Sequence, residues 1–383
     1  MKLRTVLAIF AITFIPTLLI WFPFIVRAQS IWGIPLPQNG MATIVANYDG
    51  PLYMVVAKTF YNASQIEHSF SFNLPVIYYA AHFPFFPFLI RIFSLILVMP
   101  YAMLVVSLLS SFICLFFFYK FIRDYVSNQD ALFLTFAFSV FPARFLIVRS
   151  VGSPEPLFVG AIIASIYYFK RKNYLLASIW GVVAQITKSP AILLFVSYLL
   201  AIGLPAGKRL IISNFGKTVS RLNFLFILVL LIPLSLVGVF FLYKFSLGDF
   251  FSYFHSGDNI HLFFPPFEIF NYAQPWVNTH WLEEIIFVYL LGFLGIATLW
   301  KEKDKTLFWF VAVFFFSTIF VSHRDLIRYS LPIVPFLYAA FSKYLVKREF
   351  KLAILFLLVP IYLFSLAFIS NNVMPISDWA PFL

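Results

Sequence analysis

The sequence predicts an all-α polytopic membrane protein, and three observations carry that prediction. Of 383 residues, 62% are hydrophobic and only 11% are charged. The mean hydropathy is +0.93. Apolar runs about as long as a membrane crossing recur from one end of the chain to the other, cut by charged or Pro-rich breaks. A soluble domain carries about a quarter charged residues because it must present a solvated surface. The net charge of +12 does not point to nucleic acid, since that footprint needs a basic polar face and no such segment is present. Cys114, the one cysteine, lies inside an apolar run, which excludes disulfide frameworks and cysteine-based metal sites.

A helix crosses the hydrocarbon core with about 20 apolar residues, or fewer when neighbouring helices surround it. Cutting at the breaks gives about eleven spans: 5–26, 84–119, 129–148, 154–169, 174–188, 190–204, 222–243, 283–300, 306–321, 331–346 and 352–370. The first follows Lys2 and Arg4, but its 22 residues are too many for a signal-peptide core, so it reads as a retained anchor. The second is long enough to hold an extra juxtamembrane helix before Pro100. Residues 174–204 read as a hairpin broken at Lys188-Ser189-Pro190, because a single helix there would carry Lys208 to Arg221 across the membrane and invert every later loop.

With the N-terminus cytoplasmic, 18 of the 27 basic residues fall on the inner side, as the Lys/Arg bias of short loops requires. The outer side receives a first loop, 27–83, and a second, 244–282, with all six histidines and 10 of the 15 acids. Loops on a rigid scaffold are where function concentrates. The chain therefore reads as a single domain, 1–383, with its site at the outer surface.

In the first outer loop, Asn47-Tyr48-Asp49-Gly50-Pro51 leads into Met54 to Tyr61, where apolar residues recur at the spacing of a helix lying along the membrane surface. Asp49 is either an N-cap ahead of Pro51 or a general base within reach of an acceptor hydroxyl. From His82 to Arg91 two prolines three apart interrupt an aromatic run, an interfacial belt in which His82 and Arg91 are the polar exceptions. Arg144, Arg149 and Glu155 flank the turn between the third and fourth spans. Ser153 as N-cap, Pro154 at the first helical position and Glu155 in the first turn make a local helix start, and Glu155 is also placed to hold an arginine or a sugar hydroxyl.

Lys188 at a hairpin apex and the turn His323-Arg324-Asp325-Leu326-Ile327-Arg328-Tyr329 place charge at membrane depth, where it is expensive and usually functional. Arg324 and Arg328 share a face if the turn is helical and would clamp a phosphate; the alternative is that Asp325 pairs with one of them. Asp249, His255, Asp258, His261, Glu268, His280, Glu283 and Glu284 in and beside the second loop match no metal motif, and His255 with His261 is a weak zinc signal. That loop is expected to meet the acceptor. The chain has no phosphate-cradling Gly-rich loop and no Ser-His-Asp frame, so nucleotide hydrolysis and acyl transfer lack support. The sequon Asn62-Ala63-Ser64 matters only in a secretory compartment.

Taken in order, these motifs resemble the multispanning GT-C glycosyltransferases, and among them the PIG-V group of mannosyltransferases of GPI-anchor synthesis and its prokaryotic relatives. Tyr48-Asp49 through Tyr61 stands where the group has Trp-Asp and an amphipathic helix. Phe83 to Arg91 fits its Phe-Pro-x-x-Pro-x-x-x-Arg segment, and Ser153 and Glu155, split by Pro154, approximate its Ser-Glu pair. Thr187-Lys188-Ser189 parallels its Thr-Arg-Ser hairpin, and Arg328-Tyr329 before Pro332 and Pro335 its late Arg-Tyr.

The resemblance implies a polyprenyl- or dolichyl-phosphate sugar donor, no nucleotide-sugar site and inversion at the anomeric carbon; the acceptor is expected to be a glycan, lipid or protein, and no residues are assigned to a cofactor or metal. Asp49 would be the base. Lys188, Arg324 and Arg328 would hold the donor phosphate, with Tyr48, His82, Arg91, Arg144, Arg149, Glu155, His323 and Tyr329 around the substrates. The active site would face outward at a prokaryotic plasma membrane or into the lumen of the endoplasmic reticulum. A transporter or lipid-linked-sugar flippase is the competing class; it predicts paired repeats and charges near mid-membrane. An oligosaccharyltransferase-like enzyme would need a metal site and a soluble domain larger than the 39-residue second loop, 244–282.

Overall fold

The computed structural model describes residues 2–212, 224–257, 262–276 and 282–383; Lys217, Arg221, Asp258, His261 and His280 lie outside the described residues. The chain is a helical bundle whose only paired strands, among the described residues, are β1 (Ser30–Ile31) and β2 (Ile34–Pro35) in the first outer loop. Helix α1 (Leu3–Ile25) is followed by that hairpin and by α2 (Met41–Val45), α3 (Gly50–Thr59) and α4 (Ala63–Ser69). A surface helix was the expectation for 54–61. Instead every residue of α3 except Lys58 is buried, because α5 (Phe85–Phe93) and the chain's last residues cover it.

The predicted second span divides as expected into juxtamembrane α5 and a long α6 (Met99–Ile122), with Pro100 in the first turn, where its missing N–H costs nothing. The third span is bent: α7 (Asn128–Val140) and α8 (Ala143–Ser150) meet at 72°. Helix ends leave carbonyls without partners. Here the Arg149 Nε donates to Ser139 O (2.8 Å) and the Tyr338 hydroxyl to Phe141 O (2.9 Å). The Arg149 Nη1 also donates to Thr13 O and to Thr17 Oγ1, each at 2.9 Å, so this buried cation ties the bend to α1.

Helix α9 (Glu155–Lys170) is apolar on all sides and correspondingly buried. It lies against α6 so closely that a Cβ on Gly160 would stand 2.9 Å from the Cα of Cys114. Helices α10 (Tyr174–Thr187) and α11 (Ile192–Ile212) form the predicted hairpin. The Ser165 hydroxyl of α9 reaches both Ala177 O (2.6 Å) and the Tyr198 hydroxyl (2.7 Å). One unbroken helix would hold residues 177 and 198 about 30 Å apart at 1.5 Å per residue; the chain therefore reverses at Lys188.

Beyond the next break, α12 (Leu231–Leu247) runs past the predicted end at 243 and stops at Gly248, whose φ of 82° is a left-handed cap suited to glycine. The predicted second outer loop thus begins at Gly248 and carries the short α13 (Ser252–His255). Helices α14 (Leu282–Lys301) and α15 (Lys305–Thr318) follow. The short α16 (Leu326–Ser330) lies in the predicted turn before the tenth span; the span itself, 331–346, is a 3-10 turn holding Pro332, then α17 (Val334–Ala340) with Pro335 in its first turn, and α18 (Ser342–Leu345); α19 (Arg348–Asn371) is the last long helix.

Each predicted span coincides with a helix or a broken helix. Yet among the described residues only five are long and apolar enough to cross a membrane alone, or six with the bent α7–α8 pair. Helices α9 and α10 are shorter, with charged residues, Glu155 and Lys188, at their ends. Helix α6 is 61% buried over its most apolar stretch against 22–28% for the other long helices, which makes it the bundle's centre and them its lipid-facing rim.

Candidate active site

The loops expected on one side of the membrane meet at one end of the bundle. At the end where α9 begins, a cavity of about 800 Å³ is lined by Tyr48, Asp49, His82, Arg144, Lys188, His323, Arg324, Arg328 and Tyr329 from the predicted set, together with Tyr53, Tyr253, Asp325 and Phe368.

Glu155, almost wholly buried, forms the floor of the charge network. Its Oε1 lies 2.7 Å from the Lys188 Nζ and 3.8 Å from the Arg328 Nε. Its other oxygen accepts from the Ser153 hydroxyl, which in turn takes a bond from the Glu155 N–H at 3.4 Å. The helix start therefore lies one residue later than expected, with Pro154 at the N-cap position and Ser153 acting from just before it. A buried carboxylate is tolerated only with such partners, and Glu155 in return fixes two cations at the cavity wall.

Asp325 performs the same task on the opposite wall. It pairs with Arg144 (Nε to Oδ1, 3.0 Å) and with Arg328 (3.5 Å). The Arg144 guanidinium lies over Phe368 of α19, 3.9 Å from the ring centroid. Arg324 precedes α16, whereas Arg328 lies within it, so the two do not share a helical face; both still line the cavity, and Arg324 is exposed. His323 Nδ1 accepts the Asp325 backbone N–H at 2.9 Å, which leaves its other ring nitrogen as the neutral imidazole's donor.

Asp49 sits at the N-cap of α3 without making a side-chain cap bond. Its carboxylate is 40% exposed, faces the cavity and stands 3.8 Å from the Arg328 Nη1. Beside it Tyr48 adopts a left-handed backbone (φ 49°), a costly conformation for a bulky residue. Its hydroxyl lies 3.3 Å from Asp325 Oδ2 and accepts from Arg144 Nη1 at 3.3 Å. Its ring lies under Arg328 at 4.9 Å. Burial, reinforced by the Asp325 carboxylate, pushes the Tyr48 phenol well above its usual range and keeps it a neutral hydrogen-bonding group.

Two predicted residues lie elsewhere. Arg149 serves the α7–α8 bend. Arg91 donates to Ala57 O (3.3 Å) and Lys58 O (3.2 Å) at the C-terminal end of α3, where a cation meets the helix dipole favourably. Conversely, Asp325 was foreseen only as a partner for its neighbouring arginines, and its closest partner, Arg144, is remote in sequence. Tyr253, whose hydroxyl lies 2.6 Å from Ser189 beside Lys188, carried no sequence signal. Among the described residues no group of three or more His, Cys, Asp or Glu side chains is arranged to hold a metal ion.

No family model matches the sequence, and no curated protein matches it. Solved structures do. ArnT from Cupriavidus metallidurans, in crystals with undecaprenyl phosphate and in the apo state, superposes with a TM-score of 0.52 in both cases. Each alignment has 14% identity and covers 93% of this chain and 73% of the ArnT chain. The chain shares the fold of ArnT. At that identity the likeness establishes the polytopic membrane architecture.

Proposed function

We propose that this protein is an inverting glycosyltransferase that moves a sugar, mannose in our reading, from a polyprenyl- or dolichyl-phosphate carrier to an acceptor hydroxyl on a glycan, lipid or protein. The observation that carries the proposal is the convergence of Asp49, Lys188 and Arg328 on one cavity at one end of the bundle, with Arg328 3.8 Å from Asp49. The ArnT crystals containing undecaprenyl phosphate support a polyprenyl-phosphate donor on this fold. The positive-inside bias supports an N-terminus in the cytoplasm and a cavity facing outward or into a lumen.

In this mechanism Asp49 takes the proton of the acceptor hydroxyl as its oxygen attacks C1 of the sugar from the face opposite the phosphate. The new C1–O bond forms while the bond from C1 to the phosphate oxygen breaks, and the departing electron pair stays on the lipid phosphate. Negative charge grows there, and cations held before the reaction stabilise it most where water is excluded. Arg328, Lys188 and Arg324 supply that charge, and Glu155 and Asp325 hold Arg328 and its neighbours without reorganisation. Four cations (Arg144, Lys188, Arg324, Arg328) face three carboxylates (Asp49, Glu155, Asp325), an excess of one positive charge that suits a singly charged phosphodiester. A phosphate leaves without a strong general acid, so one base suffices. The charges that meet at the cavity lie at one end of the bundle, which does not favour the transport alternative.

The direct test is transfer from polyprenyl-phosphate-mannose in proteoliposomes. Asp49→Asn is expected to lower kcat by about 10²- to 10⁴-fold while the protein stays folded; unchanged kcat removes Asp49 as the base.

A further inference from the structure

The position of Asp49 depends on a segment at the far end of the chain. After α19 the backbone turns back across the first outer loop. Asn47, fully buried two residues before Asp49, donates through Nδ2 to Ile369 O at 2.7 Å, one of the last-turn carbonyls of α19. Its Oδ1 accepts from Asn372 Nδ2 at 3.2 Å. The backbones join as well, through an Asn47–Val373 antiparallel bridge and a bond from Met374 N to Ala46 O of 2.7 Å. Farther on, the Ser71 and Ser377 hydroxyls meet at 3.0 Å, the Lys58 ammonium donates to Pro381 O, and Phe382 packs on Phe70.

That density of contact has a physical reason. Asp49 makes no cap bond of its own, so apart from its long pair with Arg328 at 3.8 Å its carboxylate is aimed by the backbone of residues 47–50. That backbone is unfavourable in isolation. Tyr48 is left-handed, and Gly50 passes so near Val45 O that a Cβ there would sit at 2.8 Å. A conformation of this kind persists only when its surroundings over-determine it.

We infer that Asn47 is a positioning residue for Asp49 and that residues 372–383 are a strap holding the base in register with the cations. The same helix end carries Phe368 beneath Arg144, so one element aligns the base and the opposite wall. This role rests on the glycosyltransferase reading for its kinetic consequence but not for its structural one.

Asn47→Ala is expected to lower kcat about 10- to 100-fold through misplacement of the base. Binding of undecaprenyl phosphate should shift by less than about twofold, since the interaction lost is not a donor contact. Asn372→Ala should act in the same direction and Asn372→Gln should restore activity. If Asn47→Ala does not fold, the Asn372 pair decides the matter, and so does a Ser71→Cys/Ser377→Cys disulfide, which should return kcat in the Asn372→Ala background. Native Cys114 is buried and does not compete. A nitroxide on Asp49→Cys reads the strap without activity: its mobility should rise in Asn47→Ala. Unchanged kcat and unchanged label mobility overturn the inference. An increase in label mobility, together with no transfer activity in the wild-type protein, sustains the strap and instead sinks the glycosyltransferase reading.

Discussion

The two ends of α9 both carry charge, and they handle it differently. Around Lys170 four cations each have their own carboxylate. Lys170 meets Asp304 at 2.6 Å, Arg171 meets Asp124 at 2.8 Å, Lys351 meets Asp130 at 2.6 Å and Lys343 meets Glu302 at 3.0 Å. Around Glu155 the pairing is shared and looser. Arg328 reaches Asp325, Glu155 and Asp49 at 3.5, 3.8 and 3.8 Å without a short bond to any of them. Lys188 and Arg144 hold short pairs on either side of it. Cations matched one to one neutralise each other and staple helix ends together. A cation suspended among three carboxylates at the wall of a cavity keeps attraction in reserve for an anion.

Arg328→Ala probes that reserve most severely. It removes the group common to all three carboxylates, and loss of one preorganised charge stabiliser typically lowers kcat by about 10²- to 10³-fold. The comparison breaks if transfer from a polyprenyl-phosphate sugar survives this change in a folded protein. Lys188→Ala comes next. Glu155 retains Arg328 as a partner, so the helix start should hold, and donor kcat/KM is expected to fall by about tenfold, one charge-assisted contact's worth. A larger effect on the acceptor's KM than on the donor's would reassign that hairpin.

The sequence made legible whatever depends on local composition. Apolar runs located the helices, and the lone Lys188 between two of them marked the reversal that Ser165, Ala177 and Tyr198 record in space. Asp49, Lys188 and the His323–Tyr329 turn stood out because charge at membrane depth demands a reason. Illegible were relations between remote residues. Arg149 and Arg144 are both arginines near a Pro-rich break, yet one caps the broken ends of α7 and the other faces the cavity; nothing local distinguishes them. Asp325 and Asn47 acquire their roles from Arg144 and from Ile369 and Asn372, distant partners that only the folded bundle supplies. The burial of α3 depends in part on the same kind of relation: besides α5, its cover comes from the other end of the chain. The number of membrane crossings was less legible: against about eleven predicted spans, five helices among the described residues, or six with the bent α7–α8 pair, are long and apolar enough to cross alone.

Asp304→Asn gives the mildest effect and the sharpest contrast. Asp304 does two separable jobs: its Oδ1 caps α15 by accepting the Leu307 N–H at 3.2 Å, and its Oδ2 pairs with Lys170 and accepts the Tyr125 hydroxyl at 3.0 Å. Asparagine caps a helix about as well as aspartate, so the substitution removes the charge pair and spares the helix start. Leaving a partly buried ammonium without its carboxylate should cost about 1–3 kcal/mol of stability. That loss is read as a lower thermal midpoint in detergent, with kcat and both KM values at wild-type levels. If turnover fell in step with Arg328→Ala, the Lys170 end would be coupled to the chemistry and the distinction between stapling pairs and a reserved cation would be lost. If stability held, the pair would be an ornament of the surface, and burial of α9 by itself would hold that end of the bundle together.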